Sequence, residues 1–330
     1  MSKKKIQAVK KKIVELCYNI LKFIGIFILK NYSEIQSVIN FELGQTDLFL
    51  TNFIEKHKNI FYTEFLNILR SNSKKLRSAV TILFLKSLGL MPSEKQLKIC
   101  ALIELIHNAT LIHDDILDSA DLRRQRPSFY KLYGEKKAVL AGDFLLSLAI
   151  EALSEFENPK ITTMFSTALV NICSGEINQL AEKNKLVSID RYIEKSKQKT
   201  AELFKLALSA SLVIENQNTH LETAKNFAEL FGTAFQIRDD INDFTGKNAE
   251  NKNVENDLKN GIFTAPAIYF AQNNNDEKIT VQKIKNSNAI QKSEQLCTTF
   301  TDKALDLIKD FSHNQYKSAL VDLCNLIKKG

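Results

Sequence analysis

The chain has 330 residues with only 10 Gly and 4 Pro, and no long stretch of it alternates with period two, which sets aside a sheet-based fold. Its five cysteines, Cys17, Cys100, Cys173, Cys297 and Cys324, form neither a CxxC pair nor a secreted-type framework, so reduced thiols in a cytoplasmic setting are expected. The formal net charge of +7 resides wholly in residues 1–30, where eight lysines face Glu15 alone; the rest carries no basic stripe with interleaved aromatics, which speaks against a nucleic-acid partner.

In chain order, the first expected element is a basic amphipathic helix over residues 1–36, with Ile6, Val9, Ile13, Cys17, Ile20, Ile24 and Phe27 three or four apart. Its apolar run, Phe23 to Leu29, is far short of the ~20 residues of a spanning helix. No small-residue cleavage site follows, as a signal peptide would need. Two readings stand side by side: a helix packed on the domain, or an interfacial helix making peripheral contact with the inner membrane surface. Residues 37–330 are expected to form one all-α domain, a single large helical bundle around a central cavity. Apolar spacing predicts a helix from Phe41 to Arg70, a polar, basic connection from Ser71 to Ser78, and a helix from Ala79 to Leu88, with Gly89 and Pro92 as punctuation.

The next helix changes character at its end. After Leu102, Ile103, Leu105, Ile106, Leu111 and Ile112 come Asp114, Asp115 and Asp118, then Arg123, Arg124 and Arg126. Residues three, four or seven apart share a helix face, so His107, Thr110, Asp114 and Asp118 form one stripe with Asp115 beside it. Carboxylates ending an apolar helix need cations, and nearby arginines invite an anion. Mg²⁺ satisfies both demands, because one or two carboxylates plus substrate phosphates commonly hold it. One such cluster is as well explained by a solvated turn. A second, Asp239, Asp240 and Asp243, ends another apolar run through Phe227, Leu230, Phe231 and Ala234. If the two helices face each other, six aspartates line one cavity mouth and hold several Mg²⁺ ions.

Between the clusters lie a helix around Ala138–Phe144, rich in small residues, and a stretch Ile172–Glu176 with Gln179, for which core packing is explanation enough. A helix from Tyr192 to Leu208 follows, carrying Lys199 and Thr200. Beyond the second cluster, Gly246 to Asn256 is polar and expected to be a loop over the mouth. Gln272 to Glu277 reads as a linker, and two helices, about 279–310 and 314–329, complete the chain. His57, His113, His220 and His313 read as structural or surface residues.

With both clusters quoted, the chain resembles a trans-isoprenyl diphosphate synthase of the polyprenyl synthetase family. Asp114-Asp115-Ile116-Leu117-Asp118 with Arg123-Arg124 is similar to its first aspartate-rich motif, and Asp239 to Asp243 to its second. The likeness runs from about Phe41 to Phe270. It implies that Lys74 and Arg77, with His107 and Arg124, bind the diphosphate of isopentenyl diphosphate. Lys199, Thr200 and Gln236 would serve the allylic diphosphate, whose departure Arg123 and Lys199 would ease. Mg²⁺ would rest on Asp114, Asp118 and Asp239, with Asp115, Asp240 and Asp243 supporting. Three departures stand out: Asn72 and Ser73 replace two glycines, Ser78 replaces a usual proline, and Ile262 stands where a lysine is usual. At the last, one diphosphate contact is missing or comes from Lys259.

The reaction so implied is head-to-tail prenyl transfer, with a homodimer or a heterodimer as the working assembly. Product length is expected to follow Ala109 and Thr110. Thr110 lies one turn behind Asp114, ~6 Å along the axis at ~1.5 Å per residue. Short-chain members of the resembling family carry aromatic residues at these two places, and both are small here. A product longer than geranylgeranyl diphosphate, destined for a quinone side chain, is therefore expected; a farnesyl or geranylgeranyl synthase is the alternative. A class I terpene cyclase would carry an Asn/Ser/Glu-type second motif, and a non-catalytic partner subunit would lack one or both clusters.

Overall fold

The computed structural model describes residues 31–70, 74–123, 126–246, 256–274 and 278–330. The amphipathic segment 1–30, Asn72, Ser73, Arg124 and most of the loop after Gly246 lie outside the described residues.

Sixteen α-helices are described. They are α1 Tyr32–Ser37, α2 Asn40–Glu55, α3 Tyr62–Arg70, α4 Leu76–Ser87, α5 Glu94–Leu117, α6 Phe129–Tyr133, α7 Glu135–Ser154 and α8 Pro159–Ala181. Then come α9 Ile189–Ser196, a π turn Lys197–Ala201, α10 Glu202–Ile214 and α11 Leu221–Thr245. The chain continues with α12 Asn256–Lys259, α13 Ala265–Asn273, α14 Val281–Lys285, α15 Ala289–Leu307 and α16 Gln315–Lys329. The all-α expectation holds, apart from a two-residue antiparallel ladder, Leu122–Arg123 with Arg126–Pro127.

The centre of the bundle is α10. Residues on every side of it are buried, including Leu203, Phe204, Leu206, Ala207, Leu208, Ala210 and Leu212, as required of a helix packed all round. It contacts both α5 and α11, so the two helices carrying the aspartate motifs flank it. A capping box starts α5, Ser93 accepting from Gln96 N–H while the Gln96 side chain accepts from Ser93 N–H, which satisfies two orphan donors reciprocally. The helix ends at Asp118, and Ser119 turns away with φ +49°. Against α5 lies α7, where Gly142 leaves room for the His113 ring. Two large cores result, one around α4, α11, α15 and α16, the other around α5, α7, α8 and α10, with a small third cluster of Phe244, Ala267, Phe270, Ile284 and Ala289.

Two expected helices prove to be broken. The run Phe41–Arg70 divides into α2 and α3, because Asn59 folds back to accept from Phe61 N–H (2.8 Å); that side-chain bond offers the backbone an alternative to helix. The segment 279–310 likewise divides into α14 and α15, where Ser287 accepts from Ala289 N–H. The expected boundary after residue 36 falls inside α1, whose Ile35 is fully buried. Among the described residues no helix is long and apolar enough to cross a membrane.

Candidate active site

A cavity of about 580 Å³ opens where the C-terminal ends of α5 and α11 meet the start of α10. Asp114 and Asp118 enter from α5, Asp239, Asp240 and Asp243 from α11, and Lys199 and Thr200 from the π turn. Arg77, His107, Thr110, Arg123 and Gln236 join the polar wall, as does His113, read from the sequence as structural or surface; Leu111, Ile172, Leu203 and Phe235 form an apolar one. The carbonyl ends of two helices carry partial negative charge. Cations are thus favoured beside the aspartates, and the ammonium of Lys199 is the feature that favours an anion near it.

Lys199 and Thr200 both line the cavity and sit in the π turn, Lys197–Ala201. Two glycines pinch it. A Cβ on Gly175 of α8 would stand 3.3 Å from Gln198 Cβ, and one on Gly232 of α11 would stand 2.6 Å from Ala201 Cα. From this seat Lys199 Nζ pairs with Glu176 Oε1 at 2.5 Å. Burial disfavours the ammonium charge, but Asp114 and Glu176 outweigh it and hold the pKa above the usual lysine range.

A buried relay fixes the second motif. Thr200 Oγ1 donates to Gln236 Oε1 (2.5 Å), and Gln236 Nε2 donates to Asp240 Oδ1 (2.7 Å). Tyr192, buried, donates its hydroxyl to Asp240 Oδ2 (2.5 Å). Burial pushes the Asp240 carboxyl far above the ordinary carboxylate range, and nearby Asp257 adds to the shift. Neighbouring Arg238, 6% exposed, donates to the carbonyls of Ile327 (2.7 Å) and Lys328 (2.6 Å), tying α11 to the last turn of α16.

The expected residues do not all converge. Asp115, buried, receives Arg123 Nε at 2.8 Å and Nη2 at 2.5 Å, and it borders a second cavity of about 280 Å³ beside α3 and α6. Ala109 is sealed in the core, whereas Thr110 lines the site. Arg77 lies over the Phe204 ring, 5.1 Å from its centroid. Lys74 is exposed, and its carbonyl receives the Tyr32 hydroxyl and Gln36 Nε2 (2.9 Å). Ser78, in place of the usual proline, donates through its hydroxyl (2.8 Å) and N–H (3.3 Å) to buried Glu104.

Two carboxylates outside the expected set, Glu176 and Asp257, line the cavity. Burial raises the Asp257 carboxyl from 3.8 to about 6, with Asp118 adding to it. Burial also raises Asp114, which Lys199 only partly offsets. Among the described residues no three acidic, imidazole or thiol side chains stand close enough to hold a metal ion by themselves. The donor set still fits Mg²⁺, which takes one or two carboxylates per ion and leaves other positions to phosphate and water.

The polyprenyl synthetase family model matches residues 58–300. The chain is 29% identical over 304 residues to the all-trans-nonaprenyl-diphosphate synthase (geranyl-diphosphate specific) of Rhodobacter capsulatus, covering 86% of this chain and 94% of that one. It is 30% identical to the heptaprenyl diphosphate synthase component 2 of Geobacillus stearothermophilus, with 80% and 88% covered. The solved polyprenyl synthase of Caulobacter crescentus, complexed with calcium and isoprenyl diphosphate, superposes with a TM-score of 0.82 at 25% identity, covering 91% of this chain and 98% of that one.

Proposed function

The chain belongs to the polyprenyl synthetase family, and from that premise we infer that it is a trans-polyprenyl diphosphate synthase making a long-chain all-trans product from isopentenyl diphosphate and an allylic diphosphate. The observation that carries this is the meeting of Asp114 and Asp118 with Asp239 and Asp243 around Lys199, over an apolar wall, in one cavity. A quinone side-chain precursor is the proposed destination.

Asp114, Asp118 and Asp239 would hold Mg²⁺, with Asp240 and Asp243 supporting. When bound, the metal supplies Lewis-acid neutralisation of the departing diphosphate. Lys199 and Arg123 place fixed positive charge where that charge develops, a preorganised electrostatic role. Asp115, also expected to support metal, spends its carboxylate on Arg123, and its proposed part is to aim that guanidinium. Arg77 and His107, with Lys74 and Arg124, take the diphosphate of isopentenyl diphosphate. Leu111, Ile172, Leu203 and Phe235 exclude water from the allylic cation, which water would quench. Thr110 meets the growing tail. The departed diphosphate is the proposed acceptor of the proton that is lost.

Val139, Leu140 and Ile150 on α7 and Val170 on α8 are exposed. Exposed apolar side chains such as these are proposed to meet a second subunit, identical or different, and the mass in solution tests it. Segment 1–30 is proposed to rest on an anionic membrane from the cytoplasmic side, which sedimentation with anionic vesicles before and after its deletion tests.

The deciding assay combines purified protein, Mg²⁺, isopentenyl diphosphate and farnesyl or geranylgeranyl diphosphate, with products resolved by length. Products beyond twenty carbons that vanish with excess EDTA are expected. Turnover in EDTA overturns the metal role, and products stopping at fifteen or twenty carbons overturn the long-chain assignment. No turnover unless a partner is added favours the subunit reading, which the altered positions 72, 73 and 262 keep in view.

A further inference from the structure

A small side cavity of about 30 Å³ opens off the main site, between the turn after α8 and the turn after α12. Asp114, Asp118, Glu176 and Lys199 line it on the catalytic side, and Lys183, Asn260 and Ile262 on the other. The two turns are locked together. Asn184 (φ +62°) and Gly261 (φ +75°) both adopt left-handed backbone, and Asn184 N–H donates to Gly261 O at 2.8 Å. Position 261 favours glycine because of its left-handed φ, and a Cβ there would also stand 3.0 Å from the Asn184 backbone nitrogen. Lys183 and Ile262, each adjacent in sequence to one member of this clamp, are therefore held on the same rim.

Lys183 is free to act there. Its neighbour Glu182 is already engaged by Arg191 (2.7 Å) and Lys195 (3.6 Å). Lys185 points back to the Ala181 carbonyl (3.0 Å). The Lys183 ammonium makes no hydrogen bond or ion pair among the described residues, and it lines the same small cavity as Asp114 and Asp118. A cation on the rim of this cavity, beside an isoleucine that offers no charge, is placed to share an anion with Lys199.

We propose that Lys183 is a further diphosphate-binding residue of the allylic site, supplying from the turn after α8 the positive charge that Ile262 does not. This rests on the reading of the main cavity as the allylic diphosphate site. Unlike Lys199, which already pairs with Glu176, Lys183 has no ion-pair partner among the described residues.

The test uses the full chain with Mg²⁺ and compares wild type, Lys183→Met, Lys183→Arg, Lys183→Met/Ile262→Lys and, as a surface control, Lys185→Met. Lys183→Met is expected to raise KM for the allylic primer about tenfold, at the lower end for a charge-assisted contact. KM for isopentenyl diphosphate should stay unchanged, Lys183→Arg should remain near wild type, and Ile262→Lys should restore much of the loss. Equilibrium binding of an unreactive allylic thiolodiphosphate gives the same comparison without turnover, and melting temperatures confirm that each variant folds. Wild-type affinity in Lys183→Met overturns the proposal, as does a folded double variant no better than the single one. Failure of wild type to bind or turn over any allylic diphosphate would instead overturn the reading of the cavity itself.

Discussion

Gly232→Ala is the sharpest test of how the two halves of the site are held together. In an exposed helix this change would stabilise by roughly 0.8–1 kcal/mol, because glycine is a poor helix former. At position 232 the new Cβ would stand 2.6 Å from Ala201 Cα, 2.8 Å from Ala201 Cβ and 3.0 Å from Phe204 Cδ2. Carbon atoms settle at about 3.5–4.0 Å, so the π turn and α11 must separate by roughly 1 Å, and the obstacle is backbone that cannot swing aside. Overpacking of this kind costs about 1–3 kcal/mol, which exceeds the gain in propensity. The displaced Ala201 adjoins Thr200, whose bond to Gln236 is 2.5 Å and continues to Asp240 at 2.7 Å. A 1 Å error in a site can cost about 10²-fold. Thermal melts and steady-state kinetics with a short allylic primer should show a lower melting temperature. Efficiency toward the allylic primer should fall tens- to a hundredfold, with a smaller effect on isopentenyl diphosphate. A variant that melts higher than wild type and keeps its activity within about twofold would show that the close contact does not position the site.

Thr110→Tyr places a ring in the cavity and should shorten the longest product, read by chain-length analysis. Ala109→Phe, fully buried outside the cavity wall, should instead lose about 1–3 kcal/mol to overpacking and shift product length less. Tyr192→Phe removes the hydroxyl donated to buried Asp240; a net hydrogen bond of this kind is worth about 0.5–1.5 kcal/mol, to be read by denaturant unfolding, and unchanged stability would refute the relay. Stripped of divalent metal, the protein should lose stability as pH rises from 3.8 to about 6, the window set by Asp257. Its carboxyl keeps a proton in the folded state that the unfolded chain gives up. Asp257→Asn should therefore raise the melting temperature at pH 7 and have little effect near pH 4, on the scale of about 1.4 kcal/mol per pKa unit.

Much of the molecule was legible in the chain because helix neighbours are local. A rise of ~1.5 Å and ~3.6 residues per turn put Asp114 and Asp118 on one stripe and Asp239 and Asp243 on another, whatever they pack against. Apolar spacing likewise announced α5, α11 and the run into α10. The break at 56–61 was written less plainly, in the Lys-His-Lys-Asn run, and needed the Asn59 side chain to turn back on the backbone.

What the tertiary structure decided is which of these groups meet, and there the cause is close approach rather than periodicity. Periodicity puts Asp115 beside the stripe, but only the fold of the Leu122–Arg123 ladder delivers Arg123 to it. Lys199 and Thr200 reach the cavity from a π turn that two other helices approach closely at Gly175 and Gly232. Glu176 and Asp257 join the wall from segments far apart in sequence. Lys183 reaches the rim beside Ile262 because two left-handed residues, Asn184 and Gly261, lock their turns together. Contacts within a helix follow from one residue's distance to the next; contacts between helices depend on where small residues let backbones touch, and that is settled only when the whole bundle packs.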